Sequence, residues 1–388
     1  MRIFLTGATG FLGTVLLREL ISNGHTVTAL SRANKTLSSA DRLKHALADY
    51  DPDFQWTRCF GNSLFVVEGD TSRAMFGLDE KTFLSHASSS DMLLHNAACT
   101  ALEADWKIYQ EVNIGGTLEA IEFAAQTRRK EMAHVSSAYV AGERTGLIHE
   151  TEADLNGGFR NNYEKSKAVS EQEVRRAASA GRIRSMFLRP SIIVGDSRTG
   201  WMCPNHHFFD FISRLLFIRG LIRNRINSTN SPEDSRFRVP GDPSATKNFV
   251  PVDYVAKLIS ILITKDDAWG KTFHLTNPDP VKLKSLELYV QTALDWPELK
   301  WCLSGEMQEL SPLERRFSRS VKLYEKYFWQ EPVFDQTQLK TLLGHGLIIP
   351  ERMSQTVINR MVAFVQAKYE ALEESRKSGA IQNISRSA

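Results

Sequence analysis

The sequence predicts an α/β fold, with a doubly wound parallel sheet followed by a smaller, mixed but mainly helical lobe. Three observations indicate this. From residue 1 to about residue 195, short apolar runs alternate with helical stretches, a pattern typical of parallel strands joined by crossover helices. A glycine-rich turn, Gly7 to Gly13, separates the first run from the first helical stretch. After Gly195 the alternation ends and mostly helical patterns follow.

The elements follow from hydrophobic periodicity. The predicted strands of the sheet are Arg2–Thr6, His25–Leu30, Leu64–Glu68, Asp91–His95, Met132–Ser136 and Ser185–Leu188. The predicted helices between them are Thr14–Asn23, Ser39–Tyr50, Val112–Arg128 and Tyr163–Ala180. Beyond Gly195 we expect the helices Phe208–Ile226, Val250–Ile263 and Leu283–Asp295, a strand Thr272–Leu275 and a polar loop Asn227–Glu233. These patterns place a first domain at 1–195, with its sheet completed by 245–280, a lobe at 196–374 and a flexible tail at 375–388.

Composition excludes several classes of protein. The chain has 388 residues, of which 42% are hydrophobic and 24% charged, as expected for a globular protein. A net charge of +3 does not indicate a nucleic-acid partner. The scattered cysteines are expected to be buried thiols in a reducing compartment, and the adjacent His206 and His207 diverge on any regular element, so no metal site is expected. Without a signal peptide or an apolar run of ~20 residues, we expect a cytoplasmic protein.

The glycine turn predicts a dinucleotide site. Gly7 permits a tight turn, Gly10 lets the backbone approach a pyrophosphate, and Gly13 allows close helix packing. The N–H groups at the start of the following helix then face the phosphates. The fold expected around such a turn is of the Rossmann type, although a purely structural turn is the alternative. The expected contact residues are Gly7, Thr9, Gly10, Phe11, Leu12 and Gly13.

The residue after the second strand bears on which dinucleotide binds. A site for NAD places a carboxylate there to hold the ribose 2′-hydroxyl. This chain has Arg32 and no acid. A guanidinium suits a 2′-phosphate, so the sequence favours NADPH, with a solvated surface arginine as the alternative.

Three residues predict hydride chemistry. Tyr163 and Lys167 are four residues apart and therefore share a helix face. Ser137 follows an earlier strand. A tyrosine supplies a proton to a developing alkoxide once a nearby ammonium and an oxidised nicotinamide lower its pKa, and the serine hydroxyl would bind the substrate oxygen.

These segments together resemble the extended short-chain dehydrogenases/reductases, and within them the thioester reductase and fatty acyl-CoA reductase branch. The resemblance covers residues 1 to about 285. The segments that carry it are Thr6–Gly13, Ser31–Ala33, Asp41–Leu43, Glu68–Asp70, Gly77–Leu78, His95–Ala98, Asn113–Thr117, Tyr163 with Lys167, Arg189–Ser197, Asn248–Tyr254 and Phe273–Leu275.

The resemblance implies roles for further residues. Asp70 would reach the adenine, with Thr71 beside it, and Asn96, Ala97 and Ala98 would pass behind the adenine and ribose. Asn113 would order the catalytic hydrogen bonds, and Lys167 would also hold the nicotinamide ribose. The nicotinamide would lie between Pro190 and Ile193, and Arg42 would assist Arg32 at the 2′-phosphate. Position 137 often holds threonine in this branch, and serine preserves the hydroxyl.

The long insertion between Arg32 and Asp70 is typical of the acyl reductase branch and unlike the sugar-nucleotide epimerases. The expected activity is therefore NADPH-dependent reduction of an acyl thioester, on CoA or on an acyl or peptidyl carrier protein, to an aldehyde or alcohol in secondary or lipid metabolism. No carrier or adenylation domain is visible. A ketone reductase, a sugar-nucleotide epimerase and a non-catalytic NADP-sensing protein stay open, as does the oligomeric state.

Two further features have competing interpretations. Two groups of basic residues would contact a pantetheine phosphate or an acidic carrier protein, or form solvated helix faces. The first is Arg214, Arg219, Arg223 and Arg225, and the second is Arg315, Arg316, Arg319 and Lys322. Four aromatic side chains would line an acyl pocket or belong to the core: Trp201, Phe208, Phe209 and Phe211.

Overall fold

The chain divides into two compact units. The structure is a computed structural model that describes residues 1–152, 157–204, 206–229 and 236–377. The first unit comprises Met1–Ile193, Asn248–Pro278 and Glu331–Pro350, and the second comprises Val194–Lys247, Asp279–Gln330 and Glu351–Ala388. The sequence pattern placed 1–195 and 245–280 in the first domain but did not assign residues 331–350 to it.

A seven-stranded parallel sheet forms the centre of the first unit, which confirms the predicted fold class. Its strands are β1 (Arg2–Thr6), β2 (Thr26–Ser31), β3 (Leu64–Glu68), β4 (Met92–His95), β5 (Glu131–Val135), β7 (Arg184–Pro190) and β12 (Thr272–Leu275). The order across the sheet is β12-β7-β5-β4-β1-β2-β3. Two short pairs accompany the sheet: β6 (Leu147–Ile148) with β15 (Val333–Phe334), and β8 (Ile192–Val194) with β11 (Phe249–Pro251).

The α-helices of the first unit are α1 (Phe11–Ser22), α2 (Ser39–Tyr50), α3 (Trp56–Cys59), α4 (Glu80–Ser89), α5 (Trp106–Tyr109), α6 (Gly116–Ala125), α7 (Asn162–Ser179), α9 (Val252–Leu262) and α12 (Thr337–Leu343). The prediction of one helix over Val112–Arg128 was wrong, because a π-helical turn, Gln110–Gly115, joins α5 to α6. The predicted helix Val250–Ile263 begins only at Val252. Pro251 disfavours helical geometry at Val250, so Phe249–Pro251 pairs as a strand instead.

The core of this unit fixes the positions of the strand ends. Phe4 on β1 packs against Phe123 of α6, with ring centroids 4.3 Å apart, and both side chains are fully buried. Phe83 of α4 and Val174 of α7 belong to the same cluster. Burial of such side chains contributes roughly 2 kcal/mol each. Helices α4, α6 and α7 are thereby held on the sheet, whose strands end together at one edge.

The second unit is mixed and mainly helical, as predicted. Its helices are α8 (His207–Thr229), α10 (Leu283–Leu294), α11 (Pro312–Ser320) and α13 (Gln355–Lys377). Its strands pair as β9 (Phe237–Pro240) with β14 (Leu299–Cys302), and as β10 (Thr246–Lys247) with β13 (Val281–Lys282).

Two predicted boundaries in this unit were wrong. The loop predicted at Asn227–Glu233 is helical as far as Thr229, because no glycine or proline interrupts α8 between Gly220 and Pro232. The tail predicted at 375–388 is helical to Lys377. Residues 230–233 and 378–388 lie outside the described residues.

Aromatic side chains fill the core of the second unit. Phe211 on α8 packs against the rings of Phe317, Tyr324 and Phe328, with centroids 5.9, 6.5 and 5.5 Å away. Trp201, Phe208 and Phe209 are likewise buried. This packing favours the core interpretation of these aromatics over an acyl pocket. In the described ranges, no helix combines the length and apolarity that crossing a membrane requires.

Candidate active site

The glycine turn between β1 and α1 is shaped by contacts that only glycine permits. Gly7 has φ +71°, and a Cβ there would lie 2.7 Å from the backbone nitrogen of Ala97. A Cβ at Gly13 would lie 2.0 Å from the Gly7 carbonyl oxygen. Gly10 donates its N–H to that same oxygen at 3.1 Å. The three glycines therefore close one compact turn against the end of β4.

The first turn of α1 is suited to phosphate. Its N-cap, Gly10, provides no side-chain cap, and no acidic residue lies in the first turn. The N–H groups of Leu12 and Gly13 precede the first complete i to i−4 bond, which Thr14 makes to Gly10 at 2.9 Å. Thr9 and Phe11 are half-buried on either side of Gly10. A negative pyrophosphate fits these donors and the positive end of the helix dipole.

A buried hydrogen-bond chain begins at this turn. The Thr6 hydroxyl oxygen accepts the backbone N–H groups of Asn96 and Ala97, at 3.1 and 3.2 Å, and pairs with His95 Nδ1 at 2.9 Å. The Asn96 side chain donates to the Gly7 carbonyl at 3.2 Å. Burial, together with the Lys167 charge, lowers the pKa of His95 to about 3. The ring is therefore neutral, and because the Thr117 hydroxyl donates its own proton to the Asn113 carbonyl, the assignment that satisfies both neighbours has Nδ1 accepting from Thr6.

The same chain continues to Asn113. His95 Nε2 lies 3.3 Å from the Thr117 hydroxyl oxygen, and Thr117 donates to the Asn113 carbonyl at 2.6 Å. With Nδ1 accepting, the Nε2–H is the donor to Thr117. Each member of this chain from Thr6 to Asn113 is thus satisfied, which rigidifies a buried network.

Asn113 connects this network to helix α7. Its side chain accepts the Cys99 N–H at 2.7 Å and donates to the Cys99 carbonyl at 3.1 Å and to the Ser166 hydroxyl at 2.8 Å. Ser166 in turn donates to the Tyr163 carbonyl at 2.8 Å. Asn113 lies in the π-helical turn, a feature frequent at functional sites. It therefore orders the first turn of α7, where Tyr163 is located.

Tyr163 is half-buried, and its hydroxyl has no hydrogen-bond partner among the described residues. Burial, with the Glu164 carboxylate next to it, raises the pKa of Tyr163 above its ordinary value of 10.0. The sequence led us to expect a pKa lowered by a nearby ammonium and an oxidised nicotinamide, but in the protein alone burial and the neighbouring groups raise it. The phenol is therefore neutral at pH 7 and available as a donor.

Lys167 is buried one turn further along α7. Its ammonium donates to the Val135 carbonyl, at the end of β5, at 2.6 Å, and the residue is 3% exposed. Burial lowers the pKa of Lys167 to about 8, partly opposed by the Glu171 carboxylate. Lys167 thus fixes α7 to the strand end that precedes Ser137. Ser137 is buried, and its hydroxyl oxygen accepts the Tyr139 N–H at 3.2 Å, which leaves the hydroxyl proton for another acceptor.

Glu171 is a buried hub that the sequence pattern did not reveal. Its carboxylate accepts from Arg189 at 2.6 Å, from Arg175 at 2.7 Å and from the Ser136 hydroxyl at 2.7 Å. Burial alone would raise the pKa of Glu171, but the two guanidiniums and the hydroxyl lower it to about 2. The available signal was an acid four residues after Lys167, on the same helix face. The hub joins α7 to β5 and β7.

Two arginines lie together at the end of β2. Arg32 Nη1 is 3.6 Å from the Asp70 carboxylate, and its side chain is 59% exposed. Arg42 donates to the Arg32 carbonyl at 2.6 Å, and burial and the Arg32 charge lower the pKa of Arg42. Burial alone would raise the pKa of Asp70, but hydrogen bonds from Ser72 and the Arg32 charge bring it below its usual range. Two neighbouring guanidiniums, one of them exposed, fit a doubly charged phosphate.

The remaining predicted cofactor residues lie after other strands of the sheet. Thr71 is buried just beyond β3, and Ala98 is half-buried beyond β4. Pro190 ends β7 and is buried, whereas Ile193 on β8 is half-buried. The structure thus brings the glycine turn, Asn96, Ala97 and Asn113 into one network and Arg32, Arg42 and Asp70 into another. No hydrogen bond joins Ser137 to Tyr163 among the described residues.

A family model described as male sterility protein, an NAD-binding domain, matches residues 5–259. The chain belongs to this family. The predicted resemblance to the thioester reductase branch of the extended short-chain dehydrogenases/reductases is confirmed. The family match includes the glycine turn and Tyr163, Lys167, Asn113 and Ser137.

Curated relatives are much longer than this chain. An aldehyde reductase of Aspergillus flavus is 29% identical over 292 residues, which is 72% of this chain and 26% of the relative. The large subunit of L-2-aminoadipate reductase of Eremothecium gossypii is 29% identical over 276 residues, 66% of this chain and 18% of the relative. The chain therefore spans about a quarter or less of the length of these relatives.

Solved structures of similar fold include reductase domains. The terminal R domain of the myxalamid PKS-NRPS pathway has a TM-score of 0.78 and 25% identity, covering 95% of this chain and 90% of that one. UDP-glucuronic acid 4-epimerase of Bacillus cereus, in complex with NAD, has a TM-score of 0.65 and 15% identity, covering 95% and 100%. At that identity, the epimerase likeness indicates shared fold alone.

Proposed function

We propose that this member of the male sterility protein family is an NADPH-dependent reductase of an acyl thioester, giving an aldehyde and, after a second round, an alcohol. The observation that carries the proposal is the neutral Tyr163 phenol, whose hydroxyl has no hydrogen-bond partner among the described residues and whose backbone is bonded through Ser166 to Asn113. The relatives point the same way, since they include the L-2-aminoadipate reductase large subunit and a PKS-NRPS terminal reductase domain.

The cofactor would be bound by the residues already described. Leu12 and Gly13 would donate to the pyrophosphate, Arg32 and Arg42 would hold the 2′-phosphate, and Lys167 would hold the nicotinamide ribose. The remaining expected contacts are Gly7, Thr9, Gly10, Phe11, Asp70, Thr71, Asn96, Ala97, Ala98, Tyr163, Pro190 and Ile193. When bound, NADPH supplies the hydride.

Side chains of the protein would stabilise the charge that develops. As the carbonyl carbon of the thioester gains a hydride, its oxygen becomes an oxyanion, and Tyr163 and Ser137 would donate hydrogen bonds to it. The carbon–sulfur bond then breaks, the carbonyl re-forms as an aldehyde, and the sulfur leaves as a thiolate that takes a proton. A phenol whose pKa is raised stays protonated through this first round and acts as a hydrogen-bond donor. In the second round, hydride addition to the aldehyde would give an alkoxide, which would take the Tyr163 proton, and the phenolate would regain a proton from solvent.

The two units would bind different reactants. The first unit, with the sheet and the glycine turn, would bind NADP(H). The second unit would bind the acyl group and the molecule that presents it, an acyl or peptidyl carrier protein or CoA. NADPH in preference to NADH follows from Arg32, which occupies the position where an NAD site has a carboxylate.

The test is a substrate panel assayed by loss of nicotinamide absorbance. We expect turnover of acyl-pantetheine and carrier-bound thioesters with NADPH, detection of the aldehyde as a hydrazone, and release of one thiol for each aldehyde. Turnover of simple ketones without any thioester turnover would overturn the proposal in favour of a ketone reductase. Interconversion of UDP-sugars without net consumption of the cofactor would overturn it in favour of an epimerase.

A further inference from the structure

Helix α11 of the second unit presents three arginines to one cavity. Arg315, Arg316 and Arg319, with Pro312 and Ser320, line a space of about 540 Å³. All three arginines are exposed. Because residues three and four apart lie on the same side of a helix, Arg315 and Arg316 each align with Arg319 one turn further on.

Within the described residues, these arginines have no acidic partners. None of the three guanidiniums forms an ion pair with a carboxylate in the part of the chain that the structure describes. Arg315 donates to the backbone carbonyl of Leu310, and Arg316 lies over the Phe217 ring, 5.2 Å from its centroid. The acid of the same helix, Glu314, is buried and holds Arg238 at 2.8 Å. The positive charge of the cavity is therefore uncompensated by these residues.

The arginines of α8 differ from those of α11 because they have acidic partners, although the sequence pattern left the same two interpretations open for both groups. Arg214 pairs with Asp210 at 2.7 Å. Arg223 pairs with Asp295 at 2.9 Å, and Arg219 lies 3.8 Å from the same carboxylate. Their charges are largely satisfied within the unit, so an anionic partner gains little from contacting them.

We propose that the α11 cavity is the docking surface for the acidic face of the carrier protein that presents the thioester. The inference deepens the proposed function and rests on it. Three guanidiniums spread over a helical turn match several carboxylates on a protein surface better than one phosphate. Phe217, 39% exposed beneath Arg316, adds an apolar contact of the kind found at protein interfaces.

The experiment measures binding and turnover with the same pair of variants. The probe is a fluorescently labelled, phosphopantetheinylated acyl carrier protein of net negative charge. The test variant is Arg316→Gln/Arg319→Gln. The matched control is Arg214→Gln/Arg223→Gln, which removes the same charge from exposed, ion-paired positions of the same unit. Circular dichroism and thermal melting verify that both variants fold.

We expect the test variant to weaken carrier binding, and to raise KM for a carrier-bound thioester, by about tenfold at low salt, with a reduced salt dependence. The control should change either quantity less than about twofold. Both variants should reduce an acyl-pantetheine thioester like the wild type.

Three results would overturn the proposal: unchanged carrier binding in the test variant, an equal loss in the control, or displacement of the carrier from the cavity by free CoA alone. If the wild type bound the carrier through α11 but reduced no thioester, the proposed function would fail while the docking surface stood. The binding measurement therefore separates the two failures.

Discussion

The two units differ in where they place their charges. In the first, Lys167, Glu171 and Arg189 are each no more than 3% exposed; Arg189 donates to the Glu171 carboxylate, and Lys167 donates to a backbone carbonyl at the end of β5. In the second, buried carboxylates such as Glu287 are paired with side chains that reach solvent, since Lys284 is 68% exposed. The first unit thus buries both partners of the ion pair beside its reactive groups, whereas in the second unit one partner of the Glu287 pair remains in solvent.

The largest effect is expected from Tyr163→Phe. Removing the hydroxyl takes away the donor to the developing oxyanion but no hydrogen bond within the protein, because that hydroxyl has no partner among the described residues. We expect kcat to fall by about 10³-fold with the melting temperature unchanged. Steady-state kinetics and thermal melting measure the two quantities. A kcat within a few-fold of wild type would mean that the Tyr163 hydroxyl does not stabilise the oxyanion.

Substitution of the buried carboxylates Glu171 and Glu287 tests the comparison between the two units through the free energy of unfolding. Glu171→Gln leaves Arg189, 1% exposed, without a counter-charge, so the free energy of unfolding should fall by about 3 kcal/mol. Glu287→Gln should cost about 1 kcal/mol, because Lys284 is solvated and the amide oxygen still accepts the Trp301 N–H. Urea denaturation measures both values. Equal losses would show that the two units do not differ in this respect.

The effect of replacing an exposed arginine on kcat/KM should depend on the group that its side chain binds. Arg32→Ala should lower kcat/KM for NADPH by roughly tenfold to thirtyfold, since a charge-assisted bond to phosphate contributes about 1.5 to 2 kcal/mol. The same change should leave kcat/KM for NADH almost unaltered. Arg223→Ala, in the second unit, serves as the control and should change neither value. A parallel loss with both cofactors would assign Arg32 a structural role.

The smallest effect is a change in pH dependence. With the pKa of Lys167 lowered to about 8, its ammonium is present below that pH and is lost as the pH rises through it. Activity should therefore decline on the alkaline side with an apparent pKa near 8. Lys167→Arg keeps a charge in this range, so the decline should move to higher pH, with at most a few-fold change at pH 7. An unchanged alkaline limb would mean that another group controls it.

The sequence revealed those parts of the fold and site that depend on neighbours along the chain. Helix α2 and strand β3 have the predicted bounds, because the Ser38 cap and an apolar run define them locally. The glycine turn was also predicted from the sequence, because the close contacts at Gly7 and Gly13 leave no room for a side chain. What the pattern did not show depends on distant partners. The Thr6–His95 bond spans 89 positions, and Glu171 on α7 meets Arg189 on β7, 18 positions away, only once the helix packs on the sheet.

Residues 331–350 are a second example of a contact with distant residues that the sequence pattern did not predict. They join the first unit because the buried Glu150 carboxylate accepts the backbone N–H groups of His274, at 2.9 Å, and Gln338, at 2.6 Å. Gln338 is 188 positions from Glu150 in the chain. Neither periodicity nor composition encodes such a pairing, so a domain boundary drawn from the pattern alone omitted this segment.

The π-helical turn makes the site sensitive to residue number as well as residue type. A π turn holds one residue more than an α turn, and each residue rotates a helix by about 100°. Deleting a single residue between Gln110 and Gly115 would allow α5 and α6 to merge into one regular helix. Such a deletion need not remove any of the proposed catalytic residues, Asn113, Ser137, Tyr163 and Lys167. It would nevertheless turn the Asn113 side chain away from Ser166 and Cys99. The spacing of this segment is thus a constraint that comparing residue types position by position would overlook.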